Sequence, residues 1–116
     1  MSDVNIQTAN VVPSSTSLED QEKYVVKPNG AKTESLGDFG YGVVRIGRPA
    51  GEPSQVIVSG ETEAYVYGAD DNLDAYDPIV AGSSGVFKKA TIGSEAIRGH
   101  VLEAVTTDTT AQVFLY

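Results

Sequence analysis

The sequence has no cysteine and no tryptophan, a single histidine and few basic side chains. Without cysteine there is no disulfide framework, no thiolate nucleophile and no cysteine-based zinc site. The one histidine, His100, excludes a multi-histidine metal cluster within one chain. Eight Lys and Arg against sixteen Asp and Glu leave a formal net charge of −8 over 116 residues. Because clustered basic side chains supply much of the affinity for nucleic acid, this balance argues against a DNA or RNA partner.

Long apolar runs are also missing from the chain. No segment reaches the roughly 18 consecutive apolar residues that a membrane span needs. Residues 1–21 lack the basic and apolar regions of a signal peptide, so we expect synthesis and assembly in the cytoplasm and no membrane partner. A Gly-Lys-Thr phosphate loop and paired carboxylates in an apolar setting are absent as well. The sequence therefore predicts a protein that is not an enzyme and that has no cofactor and no bound metal.

The part of the chain from Tyr24 onward is rich in β-forming residues. Short runs of Val, Ile, Tyr, Phe and Thr alternate with glycine-containing turns, which is the pattern of strands. The predicted strands are residues 24–27, 41–46, 55–59, 62–67, 78–81, 86–90, 97–105 and 111–116. We expect tight turns at Ser59-Gly60 and at residues 83–85, and a hairpin loop over residues 106–110. Eight short strands without a helix imply an all-β fold, a small antiparallel barrel or sandwich.

Residues 61–67 alternate with a period of two, as a half-buried strand does. One face carries Thr62, Ala64 and Val66, and the other carries larger or charged side chains. We expect the smaller, apolar face to point into the core.

The first 22 residues differ in composition from the rest. They carry four acidic side chains and no basic one, and they include a Pro-Ser-Ser-Thr-Ser run at residues 13–17. This composition predicts an extended N-terminal arm over residues 1–22, outside the core of a barrel domain over residues 23–116. Such an arm either adds its apolar pieces to a partner's sheet edge or stays a free terminus. Its candidate partner-binding residues are Val4, Ile6, Val11 and Val12.

An acidic loop over residues 70–77 partly matches a calcium site. Asp70, Asn72 and Asp74 fall at the first, third and fifth positions of an EF-hand loop. Ala75 stands where the sharp turn needs glycine, and no helices flank the loop, so an EF-hand is excluded. A looser cation site and a solvated acidic turn both remain open.

Two further patterns partly match known chemical sites. Lys88-Lys89-Ala90 resembles the modified lysine of lipoyl and biotinyl carrier domains, but it is predicted to lie in the body of a strand rather than at a hairpin tip. His100 is also predicted to lie within a strand, with no Ser or Cys signature beside it. A packed or surface histidine is the simpler interpretation.

The C-terminal two-thirds of the chain carries an ordered set of short motifs. They are Gly-Val-Val-Arg at 42–45 leading to Gly-Glu-Pro at 51–53, Val-Ile-Val-Ser-Gly at 56–60, Tyr-Asp-Pro-Ile-Val at 76–80, Gly-Val-Phe-Lys-Lys-Ala at 85–90, Ile-Arg-Gly-His-Val-Leu-Glu-Ala at 97–104 and Val-Phe-Leu at 113–115. In this order and spacing, residues 40–116 resemble the head decoration, or cement, proteins of tailed bacterial and archaeal viruses.

The resemblance implies a small β-barrel of the β-clip or SH3-like kind. It further implies a virion structural protein that binds the major capsid protein on the outside of the expanded icosahedral capsid. The protein would act as a homotrimer at threefold and quasi-threefold positions and would stabilise the shell. In this interpretation the arm is the segment that reaches across the capsid surface.

Three tyrosines are candidates for the subunit interface: Tyr41, Tyr65 and Tyr67. Tyrosine is enriched in interface cores and tolerates partial exposure, although ordinary core or surface roles explain these residues equally well. The alternative function is another viral structural or adhesive module, such as a tail or fibre component or a glycan-binding domain. Exposed aromatic side chains near Tyr76 would then form the binding platform. An enzyme or carrier role is a third alternative.

Overall fold

The computed structural model describes residues 7–12, 17–34, 39–68, 72–90 and 97–116, and these residues form an all-β fold. The strands are β1 (Gln7–Val12), β2 (Val25–Val26), β3 (Gly42–Ile46), β4 (Ser54–Val66), β5 (Pro78–Ala81), β6 (Phe87–Lys89), β7 (Gly99–Val101) and β8 (Thr109–Leu115). A 3₁₀ turn, Ser83–Gly85, connects β5 to β6. The prediction of an all-β fold is confirmed.

Five of the strands close into a barrel in the order β4, β6, β5, β7, β8. Closure occurs because β8 pairs with the second half of β4, from Gly60 to Val66. The pairs around the barrel are antiparallel except for a short parallel contact between β4 and β6. Large buried side chains such as Phe87, Ile79 and Leu115 fill the interior. The predicted small barrel is therefore confirmed.

Strand β4 is a continuous strand of 13 residues, so the predicted tight turn at Ser59-Gly60 is wrong. Gly60 has a φ of +94° and lies opposite both Gln7 of β1 and Leu115 of β8. The register with β1 skips Val58, as it does at a β-bulge. Glycine supplies positive φ to bulges as readily as to turns. Gly60 therefore marks the position along β4 where the pairing with β1 ends and the pairing with β8 begins.

Residues 7–12 and 17–22 belong to the fold, contrary to the prediction of an arm outside the core over residues 1–22. Strand β1 pairs with the first half of β4, on the side opposite β3. A second core cluster forms there from Val12, Leu18, Val26, Val44 and Val56. The Leu18 N–H donates to the Arg48 carbonyl at 2.9 Å. Composition hid this packing because Val12 and Leu18, which pack in the core, are separated by a polar run and form no periodic pattern.

The remaining predictions hold with shifted boundaries. Alternation along β4 buries Ala64 and Val66, as expected. The turn over residues 83–85 is present, with positive φ at Ser84 and Gly85. Strands β7 and β8 pair antiparallel as predicted, but residues 102–108 connect them and β7 has only three residues. The connection is longer because Val105 forms an isolated bridge to Leu73 instead of continuing β7.

The burial of Leu18 leads to a direct test of this second core. We expect Leu18→Ala to lower the free energy of unfolding by about 2 kcal/mol, because the truncation leaves a cavity among buried valines. Denaturant unfolding followed by circular dichroism measures the change. Val11→Ala is the matched control, since Val11 is 58% exposed, and it should cost no more than about 0.5 kcal/mol. Equal losses for the two variants would contradict the packing of residues 17–22 on the sheet.

Candidate interaction surfaces

The candidate residues of the N-terminal segment differ in their availability. Val4 and Ile6 lie outside the described residues. Val12 is buried in the second core and is not available to a partner in this fold. Val11 is exposed and lies opposite Gln55 of β4, which in turn lies opposite Ile46 of β3. Ile46 is also exposed, at 41%. We call Val11, Gln55 and Ile46 the extension face, a row across three adjacent strands.

Strand β1 is an edge strand among the described residues, because β4 is its one paired neighbour there. The Asn10 side chain partly protects this edge. Its Oδ1 accepts the Val11 N–H at 2.9 Å, and its Nδ2 donates to the Tyr41 hydroxyl. An edge strand presents unpaired backbone groups that favour pairing with another chain. A partner can therefore contact the side chains of the extension face as well as the backbone of β1.

The three candidate tyrosines do not form one patch. Tyr41 packs on the second core, and its ring lies 6.2 Å from the ring of the exposed Phe39. Tyr65 lies on β4 and stacks on Tyr24 with ring centroids 4.5 Å apart. Tyr67 lies below the Lys88 ammonium, with Nζ 5.1 Å from the ring centroid. Each of these tyrosines is therefore already engaged within the chain.

An ion pair lies beside Tyr65. Lys23 Nζ is 2.9 Å from Glu63 Oε1, and the Thr110 hydroxyl donates to the other Glu63 oxygen at 3.2 Å. Hydrogen bonding with Lys23 holds the pKa of the Glu63 carboxyl below its usual value, and the same pair raises the pKa of Lys23. Both side chains are substantially exposed, so solvent screening keeps this interaction weak.

Tyr67 also borders an open groove of about 420 Å³, together with Ser83, Ser84, Val86 and Lys88. Lys88 lies in β6, opposite Val80 of β5. Lys88 therefore lies within a strand. The modified lysine of a carrier domain lies at a hairpin tip instead, so this position does not match a carrier lysine.

Arg98 connects the barrel to the segment that precedes β3. Its guanidinium donates to four backbone carbonyls, those of Gly40, Tyr41, Val58 and Tyr116. Burial lowers the pKa of this group from its ordinary value, although an arginine stays charged at neutral pH. Val58 is the residue that the β1 register skips. Arg98 therefore provides a hydrogen bond at the bulge in the β1–β4 pairing.

Four aromatic side chains form a further surface, which we call the aromatic strip: Tyr76, His100, Phe114 and Tyr116. His100 stacks on Phe114 with centroids 5.6 Å apart and planes 12° apart. Its centroid lies 6.0 Å from that of Tyr76 and 5.6 Å from that of Tyr116. His100 Nδ1 and the Tyr116 hydroxyl share a hydrogen bond of 3.0 Å. Tyr76, Phe114 and Tyr116 are 70%, 39% and 61% exposed, so solvent reaches the strip.

Tyr76 reaches the strip through an unusual backbone conformation. Its φ is +72°, a region that bulky residues rarely occupy. The conformation is held by the Tyr76 N–H, which donates to the Val101 carbonyl at 2.8 Å. In the same turn, the Asp74 N–H donates to Asp77 Oδ2 at 2.8 Å. Hydrogen bonds thus hold Tyr76 in an unfavourable left-handed backbone conformation, and its ring faces solvent beside His100.

Acidic side chains border the aromatic strip. Glu61 lies directly opposite Phe114 in the β4–β8 register, and Asp74 lies in the turn that carries Tyr76. Lys89, on β6, pairs with Asp77 at 3.6 Å. The strip is thus an apolar surface with an acidic border.

The sequence contained a partial signal for the aromatic strip. The predicted hairpin over residues 97–116 differs from the observed pairing by two positions, with His100 opposite Phe114. A shift of two keeps side chains on the same face of a strand. The sequence therefore allowed His100, Phe114 and Tyr116 to be assigned to one face. It did not predict that Tyr76, from a distant turn, lies beside them. Tyr76 was expected only as part of the alternative binding platform.

The other chemical patterns yield no assembled site among the described residues. Asp70 and Asp71 of the acidic loop lie outside them. Within residues 7–12, 17–34, 39–68, 72–90 and 97–116, no group of three or more His, Asp or Glu side chains is arranged to hold a metal ion. The same part of the chain forms no helix long and apolar enough to cross a membrane.

Comparison with known proteins identifies a relative in fold. No family model and no curated protein matches the sequence. Among solved structures, the chain is similar to the N base of the head fiber protein gp8.5 of bacteriophage phi29. The TM-score is 0.59 at 11% sequence identity, over 96% of this chain and 95% of the phage chain. Similarity at this identity demonstrates a shared fold over nearly the full length of both chains.

Proposed function

We propose that this protein is a structural component of a tailed-virus head that binds the outside of the expanded capsid and stabilises it. The observation that carries the proposal is the fold similarity to the phage head fiber base, which covers nearly all of both chains. The order of motifs over residues 40–116, which resembles that of head decoration proteins, supports the same class. Trimers at threefold and quasi-threefold positions and binding to the major capsid protein are the finer parts of this proposal.

A stabilising role of this kind needs no catalytic chemistry. A ligand that binds only the assembled shell stabilises that shell by mass action. Many weak contacts that are arranged with the symmetry of the capsid act together through avidity. A net charge of −8 would complement a basic patch on the shell and would speed association.

The extension face is the surface that we assign to shell contact. Val11 and Ile46 expose apolar side chains in a row across β1, β4 and β3. Because these residues are held in paired strands, little conformational entropy is lost on binding, which favours affinity. In this proposal the segment that contacts the shell is the paired strand β1 rather than a free arm.

The test is a titration of the protein against bare, expanded viral heads, with bound copies counted by quantitative mass spectrometry. We expect saturation near one copy per major capsid subunit and greater resistance of the heads to heat. A handful of copies per particle would instead indicate a tail or fibre component. Absence of binding would overturn the proposal. Chemical cross-linking of the protein on saturated heads tests the trimer.

A variant pair tests the surface assignment. Val11→Asp places a charge on the extension face and should weaken head binding at least tenfold, because a desolvated charge is costly in an interface. Thr109→Asp makes the same charge change at the opposite end of β4, where Thr109 lies opposite Val66. It should bind heads like the original protein. Equal binding by both variants would exclude the extension face as the contact.

A further inference from the structure

The aromatic strip is a surface that the fold itself does not require. The inward faces of β7 and β8 already supply Val101, Val113 and Leu115 to the core, so the outward rings add nothing to it. The left-handed backbone of Tyr76 is energetically unfavourable, and its ring nevertheless remains exposed. Strained residues and exposed apolar patches both concentrate at binding sites. Two independent features therefore mark the same surface.

The geometry of the aromatic strip suits an extended ligand. The centroids of Tyr76, Phe114 and Tyr116 each lie 5.6 to 6.0 Å from that of His100, so a ligand that covers the strip meets several rings at once. His100 is fixed between Phe114 and the Tyr116 hydroxyl, so the ring faces are preformed and lose little entropy on binding. A chain of pyranose sugars has the matching form, since each unit has an apolar C–H face that stacks on an aromatic ring and a rim of hydroxyl groups.

The border of the aromatic strip supplies partners for those hydroxyls. Phenolic oxygens at Tyr76 and Tyr116 donate and accept hydrogen bonds, and the carboxylate of Asp74 accepts them. A few polar groups around apolar rings are the usual composition of a site for an uncharged organic ligand.

The charges around the aromatic strip favour an uncharged ligand over an anionic one. The Arg98 guanidinium is committed to backbone carbonyls, and Lys89 is paired with Asp77. An anionic polymer would therefore meet an acidic border without a counter-charge from either residue. A second copy across a twofold axis would bring two acidic borders together, which is also unfavourable. An uncharged chain avoids both penalties.

From these observations we infer that the aromatic strip binds neutral pyranose oligosaccharides, a function additional to shell binding. Binding by one copy is weak, because the strip is open and shallow, and repetition of the protein on a particle strengthens attachment through avidity. A head protein with such a strip would adhere to surfaces that display uncharged sugar polymers.

The experiment is an NMR titration of the full chain with cellohexaose and with chitohexaose, and with an oligogalacturonate hexamer as the anionic comparison. We expect saturable shifts of the Tyr76, His100, Phe114 and Tyr116 ring signals with at least one neutral hexasaccharide at millimolar concentration. We expect no such shifts with the anionic hexamer. Absence of saturable shifts with both neutral probes, shifts confined to another surface, or preferential binding of the anionic hexamer would each overturn the inference.

A Tyr76→Gly variant separates binding from folding. Glycine accepts a φ of +72° without strain, so the variant should be at least as stable as the original protein. It should nevertheless bind the oligosaccharide at least tenfold more weakly. Phe39→Ser, which removes an exposed ring elsewhere, should bind it normally. Unchanged binding by Tyr76→Gly would overturn the inference.

The same variants distinguish the two proposals. Tyr76→Gly should keep its full number of copies on viral heads, and Val11→Asp should keep its affinity for the oligosaccharide. A loss of head binding by Tyr76→Gly would make the aromatic strip the shell contact and would overturn its assignment to sugars.

Discussion

Gly99→Ala is expected to lower the free energy of unfolding by about 3 kcal/mol or more and to yield little folded protein. Gly99 lies on β7 opposite Leu115 of β8. A Cβ atom on Gly99 would lie 2.0 Å from the Phe114 carbonyl oxygen. That oxygen belongs to the backbone of a paired strand, so no flexible side chain can move aside. The two strands would have to separate, and the β7–β8 pairing would weaken.

Gly51→Ala provides the control for this steric explanation. Gly51 has a φ of +87°, but no atom lies within 4 Å of a Cβ built there. Alanine at Gly51 should therefore cost only the conformational penalty of a left-handed residue, about 1 kcal/mol. Thermal and denaturant unfolding followed by circular dichroism compares the two variants. A Gly99→Ala protein as stable as Gly51→Ala would contradict the close approach of β7 and β8.

Arg98→Met is expected to lower the free energy of unfolding by about 2–3 kcal/mol, because methionine preserves much of the hydrocarbon length but none of the hydrogen bonds. Four carbonyls lose a charged donor, those of Gly40, Tyr41, Val58 and Tyr116. Hydrogen exchange should increase at Tyr41 and Tyr116, whose N–H groups donate to the Val26 and Arg98 carbonyls. Unfolding by denaturant gives the stability change.

Two further substitutions test the reason for the Arg98 effect. Arg98→Lys should recover only part of the stability, since one ammonium group cannot reproduce the planar fork of a guanidinium. Arg45→Met, at an exposed position of β3, should change stability by no more than about 0.5 kcal/mol. An Arg98→Met protein as stable as Arg45→Met would show that these hydrogen bonds contribute nothing to the fold.

Local patterns predicted the elements of this fold better than their connections. The alternation that buries Ala64 and Val66 and the turn over residues 83–85 were both identifiable from residue types. The Ser59-Gly60 pattern was misleading, because a glycine with positive φ serves a bulge as well as a turn. Which of the two forms depends on whether partner strands are available on both halves of β4.

The candidate sites likewise differ between features that local sequence predicts and features that depend on distant contacts. Tyr41, Tyr65 and Tyr67 were chosen by residue type, yet each is engaged within the chain. His100 and Phe114 were predictable neighbours, because they belong to strands that follow one another in the chain. Tyr76 joins them through a turn whose position depends on the Val101 carbonyl, and no nearby sequence pattern encodes that contact.

The sequence by itself determined the all-β class, the acidic surface and the absence of cysteine chemistry, since these follow from composition and from the period-two alternation of short runs. Only the tertiary structure decided that β8 closes the barrel on β4, that β1 adds to the same strand, and that four aromatic rings meet outside β7 and β8. The physical reason is that pairing between distant strands depends on which edges are free and in which register, whereas local propensity acts over only a few residues.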